Sequence, residues 1–212
     1  MKIFRTLILL LVCFYSSQVY GQGNGKLAEK IDSLFIKDQR VQQDIQKAIG
    51  EKVSMDSIQK LIAIQQETFK RHIPIIKEVY NNNGYPTIKK VGKEASHHFF
   101  TLIQHADSDP LFQSTMLPVL KRLSKKGEIQ KKDYAFLYDR VQRNTGKKQL
   151  YGTQLSYDSN GNLFDSLNKI ILPPDLADPT AVDKRRKKIG LEPLEQYYER
   201  VLAMLGRPRK KI

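Results

Sequence analysis

The sequence predicts a mainly α-helical protein of about seven helices, with one small β-hairpin packed on the helical core. Three observations lead to this fold class. Apolar residues recur at spacings of three, four or seven over long stretches, as they do on amphipathic helices. Capping residues, prolines and glycines stand at the ends of these stretches. One late segment instead alternates around an Asn-Gly pair, which is typical of a hairpin.

The first two predicted helices occupy the N-terminal part of the chain. Residues 26–49 carry an apolar stripe that consists of Leu27, Ile31, Leu34, Val41, Ile45 and Ile49. Ser54 or Asp56 can cap a second helix, which Pro74 is expected to kink or to divide. Gly84 predicts the end of that helix, since glycine adopts the left-handed conformation that terminates helices.

Three more helices are predicted in the middle of the chain. After a turn-rich connector, residues 93–106 present an apolar face. Asp109 caps the next helix, with Pro110 at the favoured first position. Asp133 is expected to cap a further helix, which the NTGKK sequence ends.

The last part of the chain combines the hairpin with two helices. In the predicted hairpin, residues 149–157 pair with residues 162–167 across the Asn-Gly turn. Asp178 and Pro179 are expected to start a short basic helix. The run EPLEQYYERVLAML predicts the last helix.

Residues 1–21 have the pattern of a secretory signal peptide. Lys2 and Arg5 precede an apolar core of nine residues, which is too short to span a bilayer. Val19 and Gly21 suit the cleavage site. We therefore expect an exported protein, periplasmic or secreted, with an uncleaved membrane anchor as the alternative.

The single cysteine, Cys13, lies inside this signal. The mature chain is therefore expected to have no disulfide, no thiolate nucleophile and no cysteine-ligated metal. A lipoprotein is not expected, because the bulky Val12 precedes Cys13 and almost no cleavage region separates the cysteine from the apolar core.

The mature chain is expected to consist of an N-terminal helical arm and one helical domain. The arm covers residues 22–50 and the domain covers residues 51–206, with the hairpin near residues 149–167. Residues 207–212 form a basic tail. No stretch of the mature chain is apolar and long enough to predict a transmembrane segment.

The chain carries a formal net charge of +14, and its basic residues concentrate late, at residues 183–188 and 207–211. An exported protein seldom meets nucleic acid, so we expect no nucleic-acid partner. Anionic envelope polymers or lipid headgroups are the charged partners that the basic C-terminal region would suit. The alternative, which the sequence favours, is a solvated basic surface.

The stretch LIQHADSDPLFQ gathers polar side chains at a junction between two apolar helices. They are Gln104, His105, Asp107, Asp109 and Gln113. A helix C-terminus and nearby aspartates favour the protonated form of His105, which suits a general acid or base or a ligand contact. The alternative is a helix corner in which the same side chains bind the loose carbonyls and amides.

Metal binding at this junction is not predicted. His98 and His105 project to the same side of their helix, but seven residues separate them by about 10.5 Å along the axis. One zinc ion cannot bridge that distance. A site that combines His105 with Asp107 or Asp109 and a distant ligand is the remaining alternative.

Two further polar clusters follow along the chain. Asp139 and Arg140 lie together on a helix, where Asp139 can form a surface ion pair with Arg143 and Arg140 can reach an anion. The second cluster, on the first predicted hairpin strand, comprises Gln149, Tyr151, Thr153 and Gln154. These groups can hold a neutral polar ligand, or they can join the hairpin to the helices.

The order of these motifs resembles that of a bacterial domain-of-unknown-function family (six-six-two-four). The motifs are DQR at 38–40, GYP, QHAD with DP and FQ, DR, Q with YGTQ, and DPTAVDKRRKKIGLEPL. The resemblance covers roughly residues 30–205 and implies no activity. It implies that one polar cluster combines Gln104, His105, Asp107, Asp109, Gln113, Asp139, Arg140, Gln149, Tyr151, Gly152, Thr153 and Gln154. Tyr85 stands where the family often has tryptophan.

The functional hypothesis is a polar pocket that binds a small polar or anionic ligand. His105, Asp107 and Arg140 are the catalytic candidates, with Tyr151 and Gln154 beside them. The chain lacks a nucleophile elbow, a Walker loop and a Rossmann fingerprint, so no cofactor is predicted. Hydrolysis by a water molecule activated on His105 is then the simplest chemistry. The alternative is a non-catalytic envelope or interaction scaffold.

Overall fold

The computed structural model describes residues 24–158 and 162–204. In these two ranges the chain forms eight α-helices and no β-strand, which confirms the mainly helical class. The predicted signal peptide and basic tail lie outside the described residues. The helices are α1 Gly25–Gly50, α2 Met55–Asn83, α3 Ile88–Val91, α4 Lys93–Gln104, α5 Pro110–Lys125, α6 Lys131–Asn144, α7 Val182–Lys188 and α8 Leu194–Met204.

The chain divides into two compact units between Leu137 and Tyr138, inside α6. In the first unit α1 packs against α2 and α4, and α2 also packs against α4. Apolar residues that point between these helices are almost completely buried, among them Ile31, Ile76, Phe99 and Ile103. Burial of the helical stripes therefore stabilises the unit.

Two predicted caps are confirmed. The Ser54 hydroxyl accepts the Ser57 amide at 3.3 Å at the start of α2, and the Asp109 carboxylate accepts the Phe112 amide at 3.0 Å at the start of α5. Gly84 follows α2 with a φ of 64°, as the terminator role requires. Each of these signals acts over three residues or fewer, so the sequence alone identifies them.

Two local predictions need correction, and one of the two alternatives at Pro74 is excluded. α2 continues through Pro74 with Ile73 and Ile76 buried on either side, so Pro74 does not divide the helix, and the kink stays a prediction. Asp133 is not the cap of α6. It lies inside the first turn of that helix, where it is buried and bound to His97. The turn-rich connector contains the short helix α3.

The predicted β-hairpin at 149–167 is wrong. Outside the undescribed residues 159–161, the segment forms only isolated bridges, from Gln149 to Leu176 and from Phe164 to Ile170. The amides around 150–154 do not pair across a hairpin, because side-chain oxygens of Asp139 and Gln149 accept them. Alternation and an Asn-Gly pair are local signals, and these tertiary acceptors override them.

The described C-terminal part contains the predicted short basic helix and the last helix. A 3-10 turn at Pro179–Ala181 leads into α7, and α8 follows after a break at Gly190. Tyr197 and Tyr198 of α8 are 1% and 0% exposed, so this helix is anchored by two buried aromatic side chains. No helix in the described ranges is long and apolar enough to cross a membrane.

Candidate functional site

Helix α4 and the residue that follows it carry three histidines that each bind a carboxylate through Nδ1. The three pairs are His97 with Asp133 at 2.9 Å, His98 with Asp32 at 2.7 Å, and His105 with Asp38 at 2.8 Å. A carboxylate can only accept, so in each pair Nδ1 carries the donated proton. In the neutral ring Nε2 is then the basic nitrogen, which is the tautomer that a general base requires.

The pair formed by His105 and Asp38, called here the His105 pair, is buried and has both polar and aromatic contacts. Both Asp38 oxygens lie within 2.9 Å of the His105 Nδ1 atom. The His105 ring stacks on Phe69 with centroids 4.5 Å apart and planes 15° apart. Asp38 is 0% and His105 is 6% exposed, so the imidazole is fixed in orientation.

A third titratable group, His72 of α2, faces the His105 pair. His72 is buried, and its Nδ1 atom has no hydrogen-bond partner among the described residues. Burial lowers the pKa of His72, and the charges of Lys37 and His105 lower it further, whereas the Asp38 carboxylate raises it. The Asp38 carboxylate therefore opposes part of the effect that burial has on the pKa of His72.

Replacing His72 by glutamine is expected to flatten the acid limb of the stability curve. Because the folded-state pKa of His72 lies below its ordinary 6.5, the unfolded chain takes up a proton first. The stability that neutral His72 contributes is therefore complete above pH 6.5 and is lost as the pH falls through the folded pKa. Urea denaturation at a series of pH values measures the slope. His98→Gln is the control, and an unchanged slope in His72→Gln would contradict the assignment.

Two buried amides continue this polar stripe between α1 and α2. The Gln65 amide nitrogen donates to Gln42 Oε1 at 2.6 Å, and both side chains are buried. Gln42 lies one helical turn after Asp38, and Gln65 lies one turn before Phe69. The His105 pair is thus one end of a polar seam in an otherwise apolar interface.

The polar residues of the QHAD junction mainly hold a helix corner. Gln113 is 0% exposed, and its amide nitrogen donates to the carbonyls of Ile103 and Gln104 at 3.2 and 3.0 Å. It also lies 3.1 Å from the exposed Asp107 carboxylate. Gln113 therefore supplies a donor to the carbonyls at the end of α4, of which the Ile103 carbonyl also accepts the Ala106 amide.

Asp109 has a second structural bond besides its cap. The Lys77 ammonium donates to Asp109, and this bond together with the Phe112 amide lowers the pKa of Asp109. Lys77 also lies 5.5 Å from the centre of the Phe112 ring. Asp109 therefore connects α2, through Lys77, to the first turn of α5.

In the second unit Asp139 organises the YGTQ segment. Asp139 is 0% exposed, which excludes the predicted surface pair with Arg143. Its carboxylate accepts the amides of Leu150 at 2.8 Å and Thr153 at 2.9 Å, the Tyr151 amide at 3.2 Å, and the Thr153 hydroxyl at 3.0 Å. Gly152 adopts a φ of 65° at the centre of this loop.

Gln149 closes the same loop from the other side. Its Oε1 atom accepts the Gln154 amide at 3.0 Å, and its amide nitrogen donates to the Gln154 carbonyl at 3.1 Å. The same nitrogen donates to Asp175 at 2.9 Å. Gln149 is completely buried, so these bonds replace those that water would otherwise make.

Two arginines of the basic helix α7 also bind this loop. Arg186 is 0% exposed and donates to the carbonyls of Tyr151 and Glu192, each at 2.6 Å. Arg185 donates to the Leu150 carbonyl at 2.6 Å. The predicted solvated surface of residues 183–188 is therefore correct for the exposed Lys184, Lys187 and Lys188 but wrong for these two arginines.

The structure separates the predicted site residues into two groups. Gln104, His105, Asp107, Asp109 and Gln113 belong to the first unit, and Asp139, Arg140, Gln149, Tyr151, Thr153 and Gln154 belong to the second. In the first group Gln113 contacts Gln104 and Asp107, whereas the side chains of His105 and Asp109 contact residues outside the group. In the second group the contacts given above connect Asp139 with Tyr151 and Thr153, and Gln149 with Gln154. Arg140 is buried beside Asp139, with 6% of its surface exposed.

Asp38 and His72 are the residues that sequence reasoning missed. The DQR motif, which begins at Asp38, was a signal for the first of them. No sequence signal distinguishes His72 from a surface histidine of α2, because its importance follows from burial. In the described parts of the chain no group of three or more histidine, cysteine or acidic side chains could hold a metal ion.

The fold and the site together define a mainly helical protein with histidine–carboxylate pairs in its core. The YGTQ segment forms a loop whose amides are bound by the side chains of Asp139 and Gln149. The chain belongs to the Family of unknown function (DUF6624), whose model matches residues 26–206. No curated protein matches the chain. No solved structure matches it either.

Proposed function

We propose that this is an exported protein whose His105 pair exchanges a proton with a small polar or anionic ligand, with hydrolysis as the reaction. The observation that carries the proposal is the contact of both Asp38 oxygens with His105 Nδ1, at 2.8 and 2.9 Å. That contact fixes the tautomer in which Nε2 accepts a proton. The pattern of residues 1–21 supports export.

The reaction follows from this arrangement. A water molecule gives a proton to His105 Nε2 as its oxygen attacks the electrophilic centre of the ligand, and Asp38 stabilises the imidazolium that forms. The imidazolium then returns the proton to the leaving group, so that the pair ends in its starting state. Phe69 keeps the ring plane fixed during both transfers.

A non-catalytic scaffold is the second candidate, and a specific observation favours it. The carboxylate of Asp139, the amide of Gln113 and both ends of the Gln149 side chain bind main-chain atoms. Side chains used in this way stabilise loops and corners without any ligand.

A hydrolysis assay with two kinds of variant separates these proposals. The purified protein is incubated with p-nitrophenyl acetate, p-nitrophenyl phosphate and p-nitrophenyl glycosides. On the substrate that is turned over, His105→Gln is expected to lower kcat by about 100-fold or more, since general base catalysis has that size. Asp38→Asn, which keeps an acceptor for Nδ1, is expected to lower kcat by about tenfold or more, because it no longer stabilises the imidazolium.

The matched control is His98→Gln. His98 binds Asp32 and stacks on Phe35 with centroids 3.8 Å apart, so it has the same kinds of contact as His105 about two helical turns earlier. It is expected to keep kcat within about twofold. Equal losses in the two histidine variants, or no turnover of any of the three substrate types, would leave the scaffold as the function.

A further inference from the structure

The GYP motif and α3 border an open cleft that the His105 pair does not use. The cleft has a volume of about 800 Å³ and lies entirely within the first unit. Small-molecule sites usually enclose roughly 300 to 1,000 Å³, so a ligand of ordinary size fits. Lys89 and Lys90 of the cleft precede α4, whereas His105 follows its C-terminal end, and the 12 residues of that helix span about 18 Å. The cleft is therefore a separate place in the molecule.

Part of the lining of the cleft is cationic. Lys89, Lys90 and Arg122 line it together with a single carboxylate, Glu128. The Lys90 ammonium donates to the carbonyl of Asn83, and its positive charge stabilises the C-terminal end of α2. In the described part of the chain, the side chains of Lys89 and Arg122 take part in no hydrogen bond or ion pair. Two exposed cations thus remain available to an anion.

Another part of the lining is apolar and aromatic. Leu27, Val119 and Leu123 line it, together with Tyr80 and Tyr85. An inorganic anion would leave this surface unused, whereas an organic anion would bury part of it. Burial of apolar area adds to the affinity of a ligand that carries both kinds of group.

Backbone hydrogen bonds hold the walls of the cleft in place. The Asn24 amide donates to the Lys90 carbonyl at 2.8 Å, and the Ile88 amide donates to the Glu128 carbonyl at 2.9 Å. Tyr85 is 5% exposed and meets Phe99 edge to face, with ring centroids 5.4 Å apart. A cleft fixed in this way loses little conformational entropy when a ligand binds.

We propose that this cleft binds a small organic anion, with its phosphate or carboxylate group at Lys89 and Arg122 and its apolar part against Leu27, Tyr80 and Val119. Arg122 forms a planar fork of donors that matches either anionic group. Lys89 adds a second positive charge to the lining. The site is independent of the proposed hydrolysis at the His105 pair.

Phenyl phosphate tests the proposal, with benzoate as the carboxylate probe. Backbone amide NMR shifts are followed during titration at constant ionic strength. Saturable shifts are expected at residues around 24–27, 80–90 and 119–128. Arg122→Gln and Lys89→Gln are each expected to weaken phenyl phosphate binding by about tenfold, the size of one charge-assisted hydrogen bond. Inorganic phosphate and phenol, which each lack one half of the probe, are expected to bind more weakly than phenyl phosphate.

Lys125→Gln is the control variant. It removes one positive charge from the exposed end of α5, the helix that carries Arg122, but Lys125 does not line the cleft. Its affinity is expected to stay within about twofold of the parent protein. Shifts that never saturate with either probe, equal weakening by Lys125→Gln and Arg122→Gln, or inorganic phosphate that binds as tightly as phenyl phosphate would each overturn the proposal.

Discussion

Replacing Asp139 by alanine is expected to lower the free energy of unfolding by about 3–5 kcal/mol. The carboxylate accepts the main-chain amides of Leu150, Tyr151 and Thr153 and the hydroxyl of Thr153. Alanine leaves these donors without an acceptor in a place that water does not reach, since Asp139 and Thr153 are both 0% exposed. An unsatisfied buried donor costs about 1–3 kcal/mol, which makes several together one of the largest single-residue effects.

The charge of Asp139 limits the expected loss. Burial raises the pKa of Asp139, while the amides of Thr153, Leu150 and Tyr151 lower it. The desolvation of the carboxylate therefore offsets part of what its hydrogen bonds contribute. For this reason the expected loss is smaller than the sum for independent bonds.

Asp165→Ala is the matched control for this prediction. The Asp165 carboxylate also accepts two main-chain amides, those of Leu167 and Lys169, each at 2.9 Å. Asp165 is exposed, so water replaces the lost acceptor and the expected cost is below about 1 kcal/mol. Urea denaturation followed by circular dichroism compares the two variants. Similar losses in both would show that burial of the Asp139 bonds does not govern stability.

Replacing Arg186 by methionine is expected to lower the free energy of unfolding by about 3 kcal/mol. Methionine matches arginine's aliphatic stem in length, so the change mainly removes the guanidinium. That group donates to the carbonyls of Tyr151 and Glu192 and lies 5.0 Å from the centre of the Tyr197 ring. Burial lowers the pKa of Arg186, which shows that the charge itself is held at a cost.

Lys187→Met serves as the control for Arg186→Met. Lys187 is the next residue of α7 and is exposed, so its loss changes net charge equally without removing a buried bond. Its expected effect lies within about 0.5 kcal/mol. Thermal and urea unfolding measure both variants at the same pH. A neutral or stabilising Arg186→Met would mean that the buried carbonyls find other donors.

The candidate site was only partly predictable, and the His105 pair explains why. The sequence identified His105 as a histidine at a helix end beside aspartates. It directed attention to Asp107 and Asp109, which lie two and four residues away, whereas the bound carboxylate belongs to Asp38, 67 residues earlier. Asp107 and Asp109 instead bind Gln113, Lys77 and the Phe112 amide.

The local structure of the YGTQ segment is likewise determined by a residue that lies outside the segment. Its alternation and the following Asn-Gly pair predicted a strand, and both signals are real features of the sequence. Asp139, 11 to 14 residues earlier, binds the amides that a second strand would have bound. The basic run of α7 was likewise interpreted from its charge, although Arg186 lies in the core.

The sequence by itself determined the helical class and most helix boundaries, as at Ser54, Gly84 and Asp109. Such signals depend on bonds that span three or four residues, so they are contained in any short window of sequence. Only the tertiary structure decided which carboxylate holds His105, which amides Asp139 accepts and which arginines are buried. Those contacts join residues that are distant along the chain, and the burial that gives them their strength exists only after the helices have packed.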